Sequence, residues 1–268
     1  MRVNPSQVMN LPRVYKTEAV VIKRIKLGEA DRILTLFTPN YGKMRTVAKG
    51  VRKPSSRLSG HVELLTHAAM LLAHGQNLDI VTQSQTIHGF LPIRESLELT
   101  TFALYAAELV EQFTPEHMEN YPLYTLLLGT LQGLSEGQNP VVLLRYFELE
   151  LLSHVGYRPQ LEHCVRCNID LEPVVNQFSV SAGGVLCPTC APTDPLSQPV
   201  SVNALKVLRL LQRGGLERCL RLYLSSGLLE EMELLLRRYL EYLLEHRLKS
   251  VRFLDELKAG VSQQGSVG

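Results

Sequence analysis

Apolar and polar positions along the chain change their period once, near residue 90, and that change divides the molecule. From residue 15 to residue 90 the pattern is that of short strands. Residues 17–27 are rich in Val and Ile. Residues 31–38 alternate Ile33, Thr35 and Phe37 against Arg32, Leu34 and Leu36, and Asn40-Tyr41-Gly42 supplies a turn into a third strand. Residues 61–73 and 78–88 read as two more, separated by Gly75-Gln76-Asn77. Five strands in so short a stretch predict a small barrel, and the oligonucleotide-binding (OB) fold is the commonest basic example with that strand count.

Beyond residue 90 the period becomes helical. Residues 93–113 predict a helix starting after Pro92, residues 121–134 a second, and residues 140–155 a third, opened by Pro140 and closed before Gly156. Two more follow at 202–212, ended by Gly214-Gly215, and at 228–247. In the last, Leu229, Met232, Leu236, Leu240 and Leu243 fall on one stripe away from Glu230, Glu233, Arg237, Arg238, Glu241 and Glu245. That stripe reads as core, with a partner-binding face as the other reading. Residues 259–268, rich in Ser, Gly and Gln, predict a disordered tail.

Charge sharpens the division. Residues 1–80 hold 13 Lys/Arg against 5 Asp/Glu, a net of +8, so the remaining residues carry −6 of the overall +2. A basic block of this kind attracts nucleic acid or an acidic membrane surface. Along residues 43–53 the odd positions include Lys43, Arg45, Lys49 and Lys53, so strand alternation puts four cations on one face. The loop that follows, through Arg57 to Gly60, is basic and mobile by composition. Aromatic content is 6% with no Trp, which argues for a grip on phosphates over one on stacked bases. No stretch is apolar for long enough to span a bilayer, and the first residues lack the apolar core of a secretory signal, so a cytoplasmic protein is expected.

Four of the five cysteines form two C-x-x-C pairs, Cys164-Val165-Arg166-Cys167 and Cys187-Pro188-Thr189-Cys190. Each pair wraps a tight turn that aims two thiolates at one cation, and the spacing between pairs is that of four-cysteine zinc sites. Four thiolates fill the shell, so one zinc here is structural. An iron–sulfur cluster and redox thiols are the competing readings. His163 adjoins the first pair as an outer or exposed neighbour, and Cys219 in a Leu-rich segment reads as a small buried residue. Zinc base deaminases combine H-x-E with P-C-x-x-C. His61-Val62-Glu63 imitates the first element, but Leu186 stands where the proline would precede Cys187, and Cys164 and Cys167 would have no role. No Walker loop, nucleophile elbow or H-E-x-x-H helix occurs, and no enzymatic activity is expected.

The order of parts, with several specific stretches, resembles the RecO family of bacterial DNA repair proteins. The matching residues are Thr17-Glu18-Ala19-Val20-Val21-Ile22, Gly28-Glu29-Ala30-Asp31-Arg32-Ile33-Leu34-Thr35-Leu36-Phe37-Thr38, Gly42-Lys43 leading to Ala48-Lys49-Gly50-Val51-Arg52, and Phe147-Glu148-Leu149 through Gly156-Tyr157-Arg158-Pro159 into Cys164. The resulting expectation is an α+β multidomain chain. A five-stranded OB barrel at 1–85 is followed by a helical domain at 86–160 and 196–258, with a four-cysteine zinc insertion at 161–195 and a tail at 259–268. The resemblance implies a recombination mediator without catalysis. Such a protein binds single- and double-stranded DNA, anneals complementary strands, associates with RecR and engages the tail of the single-stranded-DNA-binding protein (SSB). It thereby helps to load RecA, with RecF a more distant partner, and works at the nucleoid.

The expected DNA surface comprises Lys23, Arg24, Lys26 and Arg32 with Lys43, Arg45, Lys49, Arg52, Lys53 and Arg57. Arg209, Arg213, Arg237 and Arg238 are candidates for the acidic SSB tail. The alternative is a zinc-containing protein–protein adaptor in which DNA binding is secondary.

Overall fold

A computed structural model describes residues 13–264, with side chains through Glu256. The described residues divide into two compact units: one up to Gly89 together with Glu116–Glu119, the other from Phe90 without that segment. The short Glu116–Glu119 piece, which the sequence pattern assigns to the helical region, thus belongs with the strands.

The first unit is a closed barrel of β1 (Val14–Leu27), β2 (Asp31–Thr38), β3 (Gly42–Ala48), β4 (His67–Ala73) and β5 (Asp79–His88), in the order β1-β2-β3-β5-β4. All pairs are antiparallel except β3 with β5. This is the Greek-key connection of an OB barrel. Alternate residues of each strand fill the interior: Ala19, Val21, Leu34, Leu36, Met44, Ala68, Met70 and Leu72 form one buried cluster.

A bulge between Val21 and Lys23 shifts β1 by one residue. Tyr15, Thr17, Ala19 and Val21 share the inner parity, and without the extra residue Lys23 would follow them inward. With it, Lys23 lies opposite Thr35 while Arg24 lies opposite Leu34. β3 ends at Ala48, short of the strand expected to residue 53, because Gly50 takes φ +62 and turns the chain. Lys49 and Lys53 therefore sit in a turn and not on a strand face. The segment expected to be mobile is anchored: Val51 and Val62 are buried in the barrel core, and Leu58 packs against it.

At the other end of β3, Gly42 has φ +61, and a Cβ there would lie 1.9 Å from the Met118 carbonyl oxygen. Glycine lets Glu116–Glu119 approach β3 closely enough for the His117 amide to donate to the Lys43 carbonyl at 2.8 Å.

The second unit holds α1 (Leu91–Glu95), α2 (Leu97–Phe113), α3 (Tyr121–Ser135), α4 (Pro140–His154), α5 (Val202–Gln212), α6 (Leu216–Leu220), α7 (Ser226–Leu244) and α8 (Lys249–Gln264). Between α4 and α5 lies a three-stranded sheet of β6 (Asn176–Ser179), β7 (Gly184–Leu186) and β8 (Gln198–Val200), in the order β7-β6-β8. Helix starts follow capping chemistry. Ser96, Asn120, Asn139, Ser201 and Ser225 each accept a backbone N–H from the first turn of the helix they open. Ser96 in this role splits the single helix expected at 93–113 into α1 and α2.

The tail expected from residue 259 overlaps α8. Its polar composition conceals helix formers such as Ala259, and only residues 265–268 of that tail lie outside the described residues. Helix α8 is tied to α2 by Glu108, whose carboxylate accepts the Lys249 and Ser250 amides at 2.9 and 2.8 Å.

A charged chain runs through the core of this unit. Glu148 is fully buried, accepting from the Tyr105 hydroxyl at 2.6 Å and pairing with Arg145 at 2.7 Å. Arg145 also reaches Glu233 at 3.3 Å; Glu233 holds Arg237, which pairs with Asp255 at 2.7 Å. Burial pushes the Glu148 carboxyl up, against the opposing pull of Arg145 and the Tyr105 hydrogen bond.

Candidate functional site

The two C-x-x-C pairs converge. Sulfur atoms of Cys164, Cys167, Cys187 and Cys190 all lie within 4.8 Å of one another. Cys167 and Cys187 are 3.8 Å apart. A tetrahedral Zn–S₄ centre with bonds of about 2.3 Å has edges of about 3.8 Å, so the donor set fits a metal ion of that size and softness.

Local hydrogen bonds explain the convergence. After the first pair, the Asn168 amide returns to the Cys164 carbonyl and the Cys164 amide donates to Ile169 O, both at 2.9 Å, with Asn168 at φ +58. After the second, the Cys190 and Ala191 amides both donate to Cys187 O, at 3.0 and 2.9 Å. The two turns are joined by Val165 N to Val185 O and Val185 N to Gln160 O. That crossing is tight. A Cβ on Gly184 would meet Gln160 O at 2.5 Å.

Burial raises the Cys164 thiol, but the backbone N–H groups of Cys167, Cys187 and Arg166 outweigh it and bring the group down to about 6. Burial and then the neighbouring thiols push Cys190 up to about 12. Four sulfurs this close resist accumulating charge, and a divalent cation reverses that resistance for all of them. His163 turns away to Asp170, at 2.7 Å from Nδ1. Cys219 is buried, and burial raises its thiol. His61 contacts Thr86 in the barrel unit at 2.9 Å, and the cysteine group is complete without it.

Strand register settles where the expected DNA-contacting residues lie. Lys26 lies opposite Arg32 and Arg32 opposite Ala48, so Lys49 follows at the same end of the barrel. The loop after β3 is pinned to the β1–β2 turn there: Arg52 donates from its side chain to Gly28 O at 3.0 Å and from its amide to Ala30 O at 2.9 Å, while the Gly50 amide donates to the Asp31 carboxylate at 2.7 Å. Lys53 and Arg57 project from that loop into solvent. Ile25 and Leu27 are exposed beside them.

Arg24 and Arg32 share the Glu63 carboxylate, Arg32 at 3.3 Å, and are partly neutralised by it. Lys43 and Arg45 lie along β3 on the outer parity, Arg45 opposite Thr35 and hence in the row that carries Lys23.

The arginines of the helical unit divide differently. Arg209 donates to Leu161 O at 2.7 Å and lies 3.5 Å from Glu162, and Arg237 is held by Glu233 and Asp255. Arg213, paired with Glu162 at 2.8 Å, and Arg238, bonded to Gln198 at 2.6 Å, stay exposed. No helix among the described residues is long and apolar enough to cross a membrane.

Comparison with known proteins agrees with both units. Residues 9–90 match the family model "Recombination protein O N terminal" and residues 94–252 match "Recombination protein O C terminal". A protein named DNA repair protein RecO from Roseiflexus sp. is 46% identical over 96% of this chain and 91% of its own length. Its namesake from Dehalococcoides mccartyi is 44% identical over 93% of this chain and 98% of its own, and that from Desulforamulus reducens is 36% identical over 91% and 95%. With a basic OB barrel, a helical unit carrying four convergent cysteines and these relatives along nearly its whole length, the chain belongs to the RecO family of DNA repair proteins.

Proposed function

We propose that the chain is a non-enzymatic recombination mediator that binds single- and double-stranded DNA through its barrel and anneals complementary strands. The observation that carries this reading is the register that gathers Lys26, Arg32, Lys49, Arg52 and Lys53 at one barrel end, with Arg45 and Lys23 on the adjoining outer face. Cations there neutralise phosphates on both strands and lower their mutual repulsion as they pair. Exposed Ile25 and Leu27 offer apolar contact to unstacked bases. Arg24 and Arg32, joined through Glu63, hold the rim of this surface in shape.

In the same reading Cys164, Cys167, Cys187 and Cys190 hold one zinc ion, which braces its subdomain and leaves no open coordination position. Association with RecR, loading of RecA onto SSB-coated strands and a place at the nucleoid complete the proposal. An acidic SSB tail is assigned to Arg213 and Arg238, which are exposed, whereas Arg209 and Arg237 are largely covered.

The test is an annealing assay with complementary oligonucleotides, bare and SSB-coated, on wild type and a variant with Lys43, Arg45 and Lys49 reversed to Glu. Lost annealing with partner binding retained supports the mediator. Retained annealing with partner binding lost favours the adaptor reading and overturns this one.

A further inference from the structure

Three rings that lie far apart in sequence meet beside the start of β3. The Tyr15 ring centroid is 4.9 Å from that of Tyr41 and 4.9 Å from that of His74. Tyr15 is fixed: it packs against the barrel core, and its hydroxyl donates to Asp79. Burial and then that carboxylate push its phenol well above the ordinary range, so it remains a donor. The same carboxylate lies 3.4 Å from His74 Nδ1 and accepts the Gly75 amide at 3.2 Å. Its acceptor oxygens are thereby engaged within the cluster.

The outer two rings stand in solvent, Tyr41 at 39% exposure on the β2–β3 turn and the His74 side chain at 46% on the β4–β5 turn. Exposed rings on a rigid aromatic base are a stacking platform, since every nucleobase has a π-face and the ring loses little freedom on binding. Cations flank it. Arg13 is exposed and its carbonyl accepts the His74 amide at 3.1 Å, while Lys43 follows Tyr41 by two residues.

We propose that Tyr41 and His74 form a nucleobase-stacking subsite for single-stranded DNA, seated on Tyr15. This rests on the barrel being the DNA-binding unit, and it adds base contact where composition argued for phosphates alone. From Lys49 to Tyr41 the chain covers eight steps, about 26 Å at ~3.3 Å per residue. An extended strand of roughly four nucleotides spans that length, within the site sizes found for OB folds. The basic end then holds phosphates and the aromatic end holds a base.

The experiment compares a thymidine oligonucleotide with an abasic deoxyribose-phosphate chain of equal length, each titrated against wild type, Tyr41→Ala, His74→Ala and Tyr41→Phe. Wild type is expected to prefer the base-bearing strand. Tyr41→Ala and His74→Ala should each cut that preference by about fivefold to tenfold while leaving abasic affinity and the salt slope unchanged, and Tyr41→Phe should retain it. Equal binding of both strands by wild type, or equal weakening of both by the Ala variants, overturns the subsite while leaving phosphate binding by the barrel intact. Failure of wild type to bind either strand overturns the underlying reading.

Discussion

In the barrel, Lys26, Arg45, Lys49, Lys53 and Arg57 are exposed with no ion-pair partner among the described residues; in the helical unit, Arg145, Arg209 and Arg237 are held by carboxylates and carbonyls. The same cationic chemistry faces solvent in one region, where the proposed function gives it a polyanion to hold, and serves internal order in the other. The reason lies in how each unit is built. The barrel is closed by backbone ladders and fills its interior with alternate apolar residues, so that, apart from Arg24, Arg32 and Arg52, which bond to Glu63 and Gly28, most of its exposed cations face outward. Helices and a small three-stranded sheet have no such ladder between them. Capping groups and a buried charge chain do that work, and in the proposed function a metal held by the four convergent cysteines adds to it.

Perturbing the proposed metal site should separate the two units most strongly. Cys187→Ser or Cys164→Ser is expected to release the ion and destabilise the helical unit by several kcal/mol, on the order expected when metal binding supplies folding energy. Metal content and hydrogen exchange read this together: exchange should rise across residues 160–200 and stay unchanged in β1 to β5. Next in size is the buried pair. Glu148→Ala leaves Arg145 without its closest counter-charge and should cost about 3–5 kcal/mol in urea unfolding, while the double variant Arg145→Met/Glu148→Leu should recover much of the loss.

On the barrel side, Gly42→Ala meets both the positive φ and the Met118 carbonyl, and should cost about 1–3 kcal/mol. Faster exchange of the His117 amide would locate that damage. The smallest effect is a pH dependence confined to the barrel. Burial lowers His67 from its ordinary 6.5, opposed by Glu18. The unfolded chain therefore binds that proton more readily than the fold. The stability this group contributes is present above pH 6.5 and is lost as pH falls through the lower folded value. His67→Gln should flatten the urea midpoint of the barrel between pH 7.5 and pH 5.5.

How much of this the sequence reveals depends on whether a feature is local. The cysteine pairs are legible because each C-x-x-C encodes its own turn, and five strands are legible because alternation repeats within each. The bulge that turns Lys23 outward is hidden, since one extra residue in β1 looks the same as continued alternation. The end of β3 turns on the positive φ of Gly50, which hydropathy does not weigh. Tyr105, Arg145, Glu148, Glu233 and Arg237 read as ordinary polar positions spread over three helices, and packing joins them. Tyr15, Tyr41 and His74 are likewise unremarkable until barrel closure brings the start of β1 and two turns together. Low aromatic content pointed away from stacking because a percentage carries no positions.

Affinity for a labelled single strand across a range of salt, in wild type, Arg45→Gln and Cys187→Ser, tests the central claim most directly. The account predicts a steep fall with salt in wild type, and a slope shallower by about 0.7 log units in Arg45→Gln for one lost phosphate contact. Cys187→Ser should keep the wild-type slope despite its lost metal. An unchanged slope in Arg45→Gln, or a slope abolished in Cys187→Ser, would contradict a division of labour between a DNA-holding barrel and a metal-braced helical unit.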